Sequence, residues 1–130
     1  MNVGIVGAGA VARRAHIPTI KQIRGIDLIA ISDPNENALR KVSSEFNIRK
    51  TYRDYIDLLE DPSIDIVDIC SPTHTHVEVI LEAIGRGKHV LVEKPLALSL
   101  ADAIRISNEL NKTSLKLCCI QMPAPSCERL

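Results

Sequence analysis

Val3-Gly4-Ile5-Val6-Gly7-Ala8-Gly9-Ala10-Val11-Ala12, followed by Ile26-Asp27-Leu28-Ile29-Ala30-Ile31-Ser32-Asp33, decides the fold. The order is an apolar strand, a glycine-rich turn, a helix and a second strand with an acidic tip. That is the physical arrangement that holds a dinucleotide. Gly7 allows the tight turn out of the strand. Gly9 carries no side chain, so the backbone can approach a pyrophosphate. Ala12 takes the third small-residue position and still lets the helix pack on the strand. Amides of the first helical turn, with Ala10 and Val11, point at the phosphates, and the helix dipole favours their charge. Asp33 lies about 20 residues further on, where a carboxylate can accept hydrogen bonds from an adenosine ribose. The same turn also occurs in α/β domains that bind nothing, so the remainder of the chain has to support the reading.

Working outward, strand and helix alternate to the end. Ala10 to about Arg24 is expected to be the first helix, with Pro18 kinking or dividing it. Asn35 to Phe46 follows as a helix, then an extended piece near Ile48 to Thr51 and a short helix from Asp54 to Glu60. Ile64 to Cys70 is the next strand, and Thr75 to Arg86 the next helix, with Val77, Ile80, Leu81 and Ile84 as its apolar stripe. His89 to Val92 is an apolar strand of the kind buried on both faces. Ser99 caps a helix, with Asp102 as its capping-box partner. Ser114 to Ile120 is the last strand. Helices of this length between strands imply βαβ units with right-handed crossovers. The fold class is therefore α/β: a doubly wound parallel sheet in one domain, residues 1–120. Gln121 to Leu130, with two prolines, reads as an irregular tail.

Composition narrows the function. The 130 residues carry 16 Lys+Arg and 16 Asp+Glu, so no excess charge attracts nucleic acid or an anionic membrane. With no Trp, one Phe and two Tyr, the chain has no aromatic platform for single-stranded bases. No apolar run is long enough to span a membrane, and the first residues lack a secretion-signal layout, so a cytoplasmic location is expected. Cys70, Cys118, Cys119 and Cys127 are expected to be thiols in such a compartment. Cys118 and Cys119 are adjacent on a strand and should face opposite ways. Cys70 with His74 and His76 lacks metal-site spacing, and no metal is expected.

In open α/β sheets, ligands sit at the carboxyl ends of the strands. This directs attention to Gly7–Ala12, Ser32–Asn35, Cys70–His76 and Glu93–Leu96. Glu93-Lys94-Pro95, after Gly87-Lys88-His89-Val90-Leu91-Val92, is the most specific of these elements. Together with Ser71-Pro72-Thr73-His74-Thr75-His76 and the glycine turn, it resembles the Gfo/Idh/MocA family of nicotinamide-dependent oxidoreductases. Those enzymes act on sugars, inositols and related polyols. The resemblance runs from Met1 to about Ile120.

It implies that Gly7, Gly9, Ala10 and Val11 hold the pyrophosphate and Asp33 the adenosine ribose. Ser71, Pro72 and Thr73 would line the path to the nicotinamide ribose, with His76 beside it. Glu93 would contact the nicotinamide end, and Lys94 would act as the catalytic residue near the substrate oxygen. A cis bond is expected at Pro95. An ammonium at this point can polarise a carbonyl or assist proton transfer, and partial burial would lower its pKa towards a useful range. His16, in His16-Ile17-Pro18, reads as structural or as lining the cleft. Asp33 repels a 2′-phosphate, so NAD(H) is expected over NADP(H).

The family's substrate domain is not represented in the sequence after Ile120. The chain is accordingly expected to be incomplete for catalysis alone. Its alternative is a stand-alone NAD(H)-binding module without chemistry, or a remnant with an empty cleft. The uncovered apolar surface near the last two strands suggests a second copy or a partner chain.

Overall fold

The apolar runs and the helical segments between them build a single parallel sheet with helices on both faces. The computed structural model describes residues 1–121. In chain order these form β1 (Asn2–Val6), a π-helical turn (Ala12–His16) continuing into α1 (Ile17–Ile20), β2 (Asp27–Ser32) and α2 (Glu36–Phe46). Then come β3 (Lys50–Tyr52), α3 (Tyr55–Glu60), β4 (Ile66–Ile69) and a 3-10 turn (Thr73–Thr75) leading into α4 (His76–Gly85). β5 (His89–Val92), α5 (Leu100–Leu110) and β6 (Leu117–Cys119) complete the described part. Beyond Gln121, the segment read as an irregular tail lies outside the described residues.

The strands lie in the order β3-β2-β1-β4-β5-β6, and every neighbouring pair is parallel. This is the Rossmann order, which reverses direction between β1 and β4. In register, Val6 sits beside Ile69 and Ile69 beside Val92, so the chain leaves β1, β4 and β5 at one level. Gly7, Cys70 and Glu93 therefore emerge side by side along one edge of the sheet.

Alternate strand residues feed two separate cores. One face packs Val67, Ile69, Val90 and Val92 against Leu58 and Leu59 of α3, Ile80 and Ala83 of α4 and Ile106 of α5. The other packs Val3, Ile5 and Ile31 against Ile17 and Ile20 of α1 and Leu39 and Val42 of α2. Each such aliphatic side chain contributes about 1.5–3 kcal/mol on leaving water.

Local signals set the helix starts. The Asn35 side chain accepts from the amides of Asn37 and Ala38, and that of Asp54 from Ile56. Ser99 Oγ accepts from the Asp102 amide and donates to the Asp102 carboxylate. At the amino edge of the sheet, Lys88 is buried and donates to the carbonyls of Asp61 and Ile64, each at 2.8 Å. Lys50, then Ser63 and Tyr52, bond the Asp61 carboxylate and hold it well below the usual carboxylate range, against the opposing effect of burial.

Four elements differ from expectation by two residues or more; one is β3, which begins at Lys50 rather than near Ile48. The first helix does not run on to Arg24. A π turn precedes Pro18, α1 ends at Ile20, and Pro18 occupies the first turn of α1, where its missing N–H does least harm. β4 starts at Ile66, because the Ile64 amide turns back to the Asp61 carbonyl. β6 is confined to Leu117–Cys119, the three residues paired with β5.

Candidate functional site

The site begins where β1 ends. Gly7 has φ +105°, and a Cβ there would lie 2.9 Å from the Cys70 carbonyl carbon and oxygen and from the Ser71 nitrogen. Only glycine fits, because the turn leaving β1 passes directly against the turn leaving β4. Gly9 is different. A Cβ at Gly9 would meet nothing within 4 Å. The protein itself does not need glycine there, so the bare backbone faces space that a ligand can use. The helical turn that follows has no side-chain cap at Val11, and Ala10 and Val11 are exposed. Its leading amides have no intrahelical carbonyl to bond.

Asp33 follows β2 with both carboxylate oxygens anchored. Oδ2 accepts from the Ala8 amide at 2.7 Å and Oδ1 from the Asn35 amide at 2.8 Å. The acid tip of β2 is thereby clamped to the glycine turn. Beside it opens a cleft of about 720 Å³, walled by Gly7, Ser32, Asp33, Arg53, Ser71 and Pro72 among others. The Ser32 hydroxyl is buried on this wall and has no hydrogen-bond partner among the described residues. A buried hydroxyl of this kind calls for a partner. Across the cleft, Tyr55 donates to Glu78 at 2.8 Å, tying α3 to α4; burial, then that bond, push the phenol up to about 12. Gly9, Asp33 and the open wall thus fit a dinucleotide.

The 70s loop divides its residues. Ser71 and Pro72 reach the cleft, and Ser71 Oγ pairs with Thr75 Oγ1 at 2.7 Å. Thr73 is half-buried in the 3-10 turn, outside the cleft wall. His76 departs from its expected position beside a ligand. It is 1% exposed, with Nδ1 2.9 Å from the Pro95 carbonyl oxygen and Nε2 3.0 Å from that of Ser71. Both nitrogens serve the protein, and the ring braces the turn after β4 against the turn after β5.

Glu93 and Lys94 leave β5 at the same edge but outside that cleft wall. The Lys94–Pro95 bond is cis, as the sequence led us to expect. Lys94 is exposed, so the partial burial expected for it is not supplied by the described residues. Glu93 is half-buried and spends both oxygens: Oε1 lies 2.8 Å from His16 Nε2, and Oε2 accepts from the Lys94 amide at 3.1 Å.

His16 and Asp68 are the larger surprise. His16 ends the π turn, is buried, and places Nδ1 2.8 Å from Asp68 Oδ2. Asp68 is fully buried in the middle of β4. The hydrogen bond that His16 donates to Asp68 dominates and, with the one it donates to Glu93 and both negative charges, overcomes burial and raises the imidazole to about 9. His16 is therefore a cation at neutral pH, held between two carboxylates. Burial alone would raise Glu93, but the bonds from His16 and the Lys94 amide and the nearby positive charges outweigh it and hold its carboxyl below the usual value. Cys70 lies next to this group, and burial, then the Asp68 and Glu93 charges, push its thiol up.

His16, Asp68 and Cys70 place ligand-type atoms within 4.8 Å of one another. A metal needs such ligands deprotonated. In the structure the three are joined by hydrogen bonds, His16 Nδ1 lying 2.8 Å from Asp68 Oδ2 and Cys70 Sγ 3.8 Å from Asp68 Oδ1. Sequence reading left Asp68 out and gave His16 no specific partner. The available signal was a lone acid inside the apolar run Ile66-Val67-Asp68-Ile69, which demands a buried partner. Arg53 was also missed; its guanidinium stands on the cleft wall, 2.9 Å from Glu36.

A Rossmann sheet with an open glycine turn and an anchored acid at the next strand defines a dinucleotide-binding domain. The chain belongs to the Gfo/Idh/MocA oxidoreductase family, matching its NAD-binding Rossmann fold over residues 1–120. It is similar to the myo-inositol 2-dehydrogenase of Thermotoga maritima, 38% identical over 117 residues, covering 90% of this chain and 35% of the relative. Among solved structures it is similar to a scyllo-inositol dehydrogenase from Lactobacillus casei with bound NAD(H) and scyllo-inositol. There the TM-score is 0.85 and the identity 27%, over 92% of this chain and 35% of that one. A 3-ketoreductase from Actinomadura kijaniata in complex with TDP-benzene and NADP gives a TM-score of 0.86 at 28% identity, over 92% and 37%. The chain thus spans about a third of the length of the relatives it matches.

Proposed function

We propose that residues 1–120 act as the cofactor half of a nicotinamide-dependent oxidoreductase whose substrate is an inositol, a sugar or a related polyol. The observation that carries this is the contrast between the two glycines: Gly7 is required by the protein's own packing, whereas Gly9 faces open space beside an anchored acid. The substrate class rests on the inositol dehydrogenases among the relatives. In this reading Gly7, Gly9, Ala10 and Val11 approach the pyrophosphate. Asp33 takes the adenosine ribose, Ser71, Pro72 and Thr73 flank the path to the nicotinamide, and Glu93 borders its end. The nicotinamide, when bound, supplies the hydride acceptor. Lys94, at the exposed tip of the last turn, polarises the substrate oxygen or takes part in its proton transfer.

NAD(H) is preferred over NADP(H). Asp33 would lie against a 2′-phosphate, and among the described residues the one Arg or Lys on that wall, Arg53, is already paired with Glu36. Among the described residues no helix is long and apolar enough to cross a membrane, and we place the protein in the cytoplasm. Leu98, just before α5, and Leu100 and Ile104 within it are exposed apolar side chains, which supports association with a partner chain or a second copy.

Titrating the purified chain with NAD, NADH, NADP and NADPH by calorimetry tests the reading. NADH should bind at least about tenfold more tightly than NADPH, which corresponds to about 1.4 kcal/mol. Asp33→Ala should narrow that gap. Equal or tighter binding of NADPH by the parent would overturn the preference, and binding of none of the four would overturn the cofactor role.

A further inference from the structure

We propose that His16 is a positioning residue: by bonding Asp68 through one nitrogen and Glu93 through the other, it fixes the Glu93-Lys94-Pro95 turn in the orientation that offers Lys94 to a bound nicotinamide. The second half of this statement rests on the cofactor reading above; the first half does not.

The geometry is specific. His16 reaches Asp68 across 52 residues and Glu93 across 77, at 2.8 Å in each case. Asp68 alone would be a fully buried carboxylate inside an apolar strand, which demands a charged or hydrogen-bonding partner. The imidazolium answers that charge and still has one N–H to give. It gives it to Glu93, whose second oxygen then accepts the Lys94 amide. The peptide that carries Lys94 is thus gripped on one side through Glu93. On the other side His76 grips it through the Pro95 carbonyl. Lys94 stays exposed between the two grips.

A neutral imidazole could donate to only one of the two carboxylates. The grip on Glu93 therefore depends on the His16 proton. The groups that face His16 are Asp68 and Cys70 from β4 and its end, and Glu93 with the adjacent Lys94 after β5. The π turn contributes as well. Its bonds reach five residues back, from the Ile17 amide to the Ala12 carbonyl, and this wider turn delivers His16 to the sheet edge from the same helical segment that starts at the glycine turn.

The test is NMR on the uniformly labelled chain without cofactor, followed by an NADH titration. In the parent, the Lys94 amide resonance should show a titration step that coincides with that of the His16 ring. In His16→Gln that step should vanish and the Lys94 resonance should move, while the amides of Gly9 and Ala8 keep their positions. The NADH affinity should stay within about twofold, and the emission of bound reduced nicotinamide should lose its change in intensity or wavelength. A folded His16→Gln chain whose Lys94 amide keeps its shift and its titration step would overturn the proposal. If that variant does not fold, Glu93→Gln decides. It keeps an acceptor for His16 but removes the charge, so the His16 midpoint should fall and the Lys94 amide should move; an unchanged Lys94 amide would overturn the proposal. Failure of the parent to bind NADH would count against the cofactor reading, and the cofactor-free spectra would still decide whether His16 holds the turn.

Discussion

Gly7→Ala and Gly9→Val, made side by side, separate what the fold needs from what a ligand needs. At Gly7 a methyl group would occupy a backbone with φ +105° and lie 2.9 Å from three backbone atoms of Cys70 and Ser71. The unfavourable dihedral costs about 1–3 kcal/mol. Backbone displacement to relieve the overlap costs about another 1–3 kcal/mol. The sum, about 2–6 kcal/mol, is a large share of the 5–15 kcal/mol by which domains are usually stable, as a rough guide. At Gly9 the added side chain meets nothing within 4 Å, so stability should change by less than about 1 kcal/mol. Urea unfolding followed by far-ultraviolet circular dichroism measures both. Fluorescence of reduced nicotinamide then reads binding, and the absence of tryptophan keeps that window clear. We expect Gly7→Ala to lose stability and Gly9→Val to stay folded but lose NADH. If Gly9→Val unfolds as readily as Gly7→Ala, or binds NADH like the parent, the open space at Gly9 is not the phosphate position.

Other outcomes follow from the same geometry. His16 has a folded value of about 9 against 6.5 when unfolded, so its contribution of about 3 kcal/mol is complete below pH 6.5 and lost as pH rises through 9. Glu93, held low, contributes above its unfolded value and loses that contribution in acid. Urea midpoints at mildly acidic and at alkaline pH should therefore fall for the parent on the alkaline side, and much less for His16→Gln. Lys88→Met would leave the buried Ile64 carbonyl unpaired and the Asp61 carbonyl with only the Ile64 amide, and should destabilise by about 1–3 kcal/mol in the same assay, with NADH affinity of the folded fraction unchanged. Lys94→Ala should change NAD affinity less than about twofold, because its proposed role is at the reacting carbon. The chain alone should show little turnover on polyols, followed by absorbance of NADH; robust turnover would mean that the chain itself completes the pocket.

The parts of the fold that follow from local chemistry were readable. β5 was legible to the residue, because His89-Val90-Leu91-Val92 is a short apolar run ended by charge, and α2, α3 and α5 started at side chains that cap them. The π turn was not legible: the pattern of Ala12 to Ile20 does not distinguish a four-residue reach from a five-residue one. At the site, Gly7, Gly9 and Asp33 could be named from spacing, since a turn and the strand beside it fix their distance. The His16–Asp68–Glu93 cluster joins residues 52 and 77 positions apart, and only the assembled sheet brings them together. The burial of His76 was equally invisible, because it depends on the cis turn at Pro95 lying against the loop after β4.

The reversal of strand order between β1 and β4 has a consequence for how such a protein can change. The crevice belongs to no single loop. In the proposed reading its adenosine end is set by the residues after β2, and its reactive end by those after β5, on opposite sides of the reversal. The sheet between them is buried and common to both. Substitutions at one end can alter which dinucleotide is favoured without moving the groups at the other, so cofactor choice and reaction chemistry are free to diverge independently on one unaltered frame.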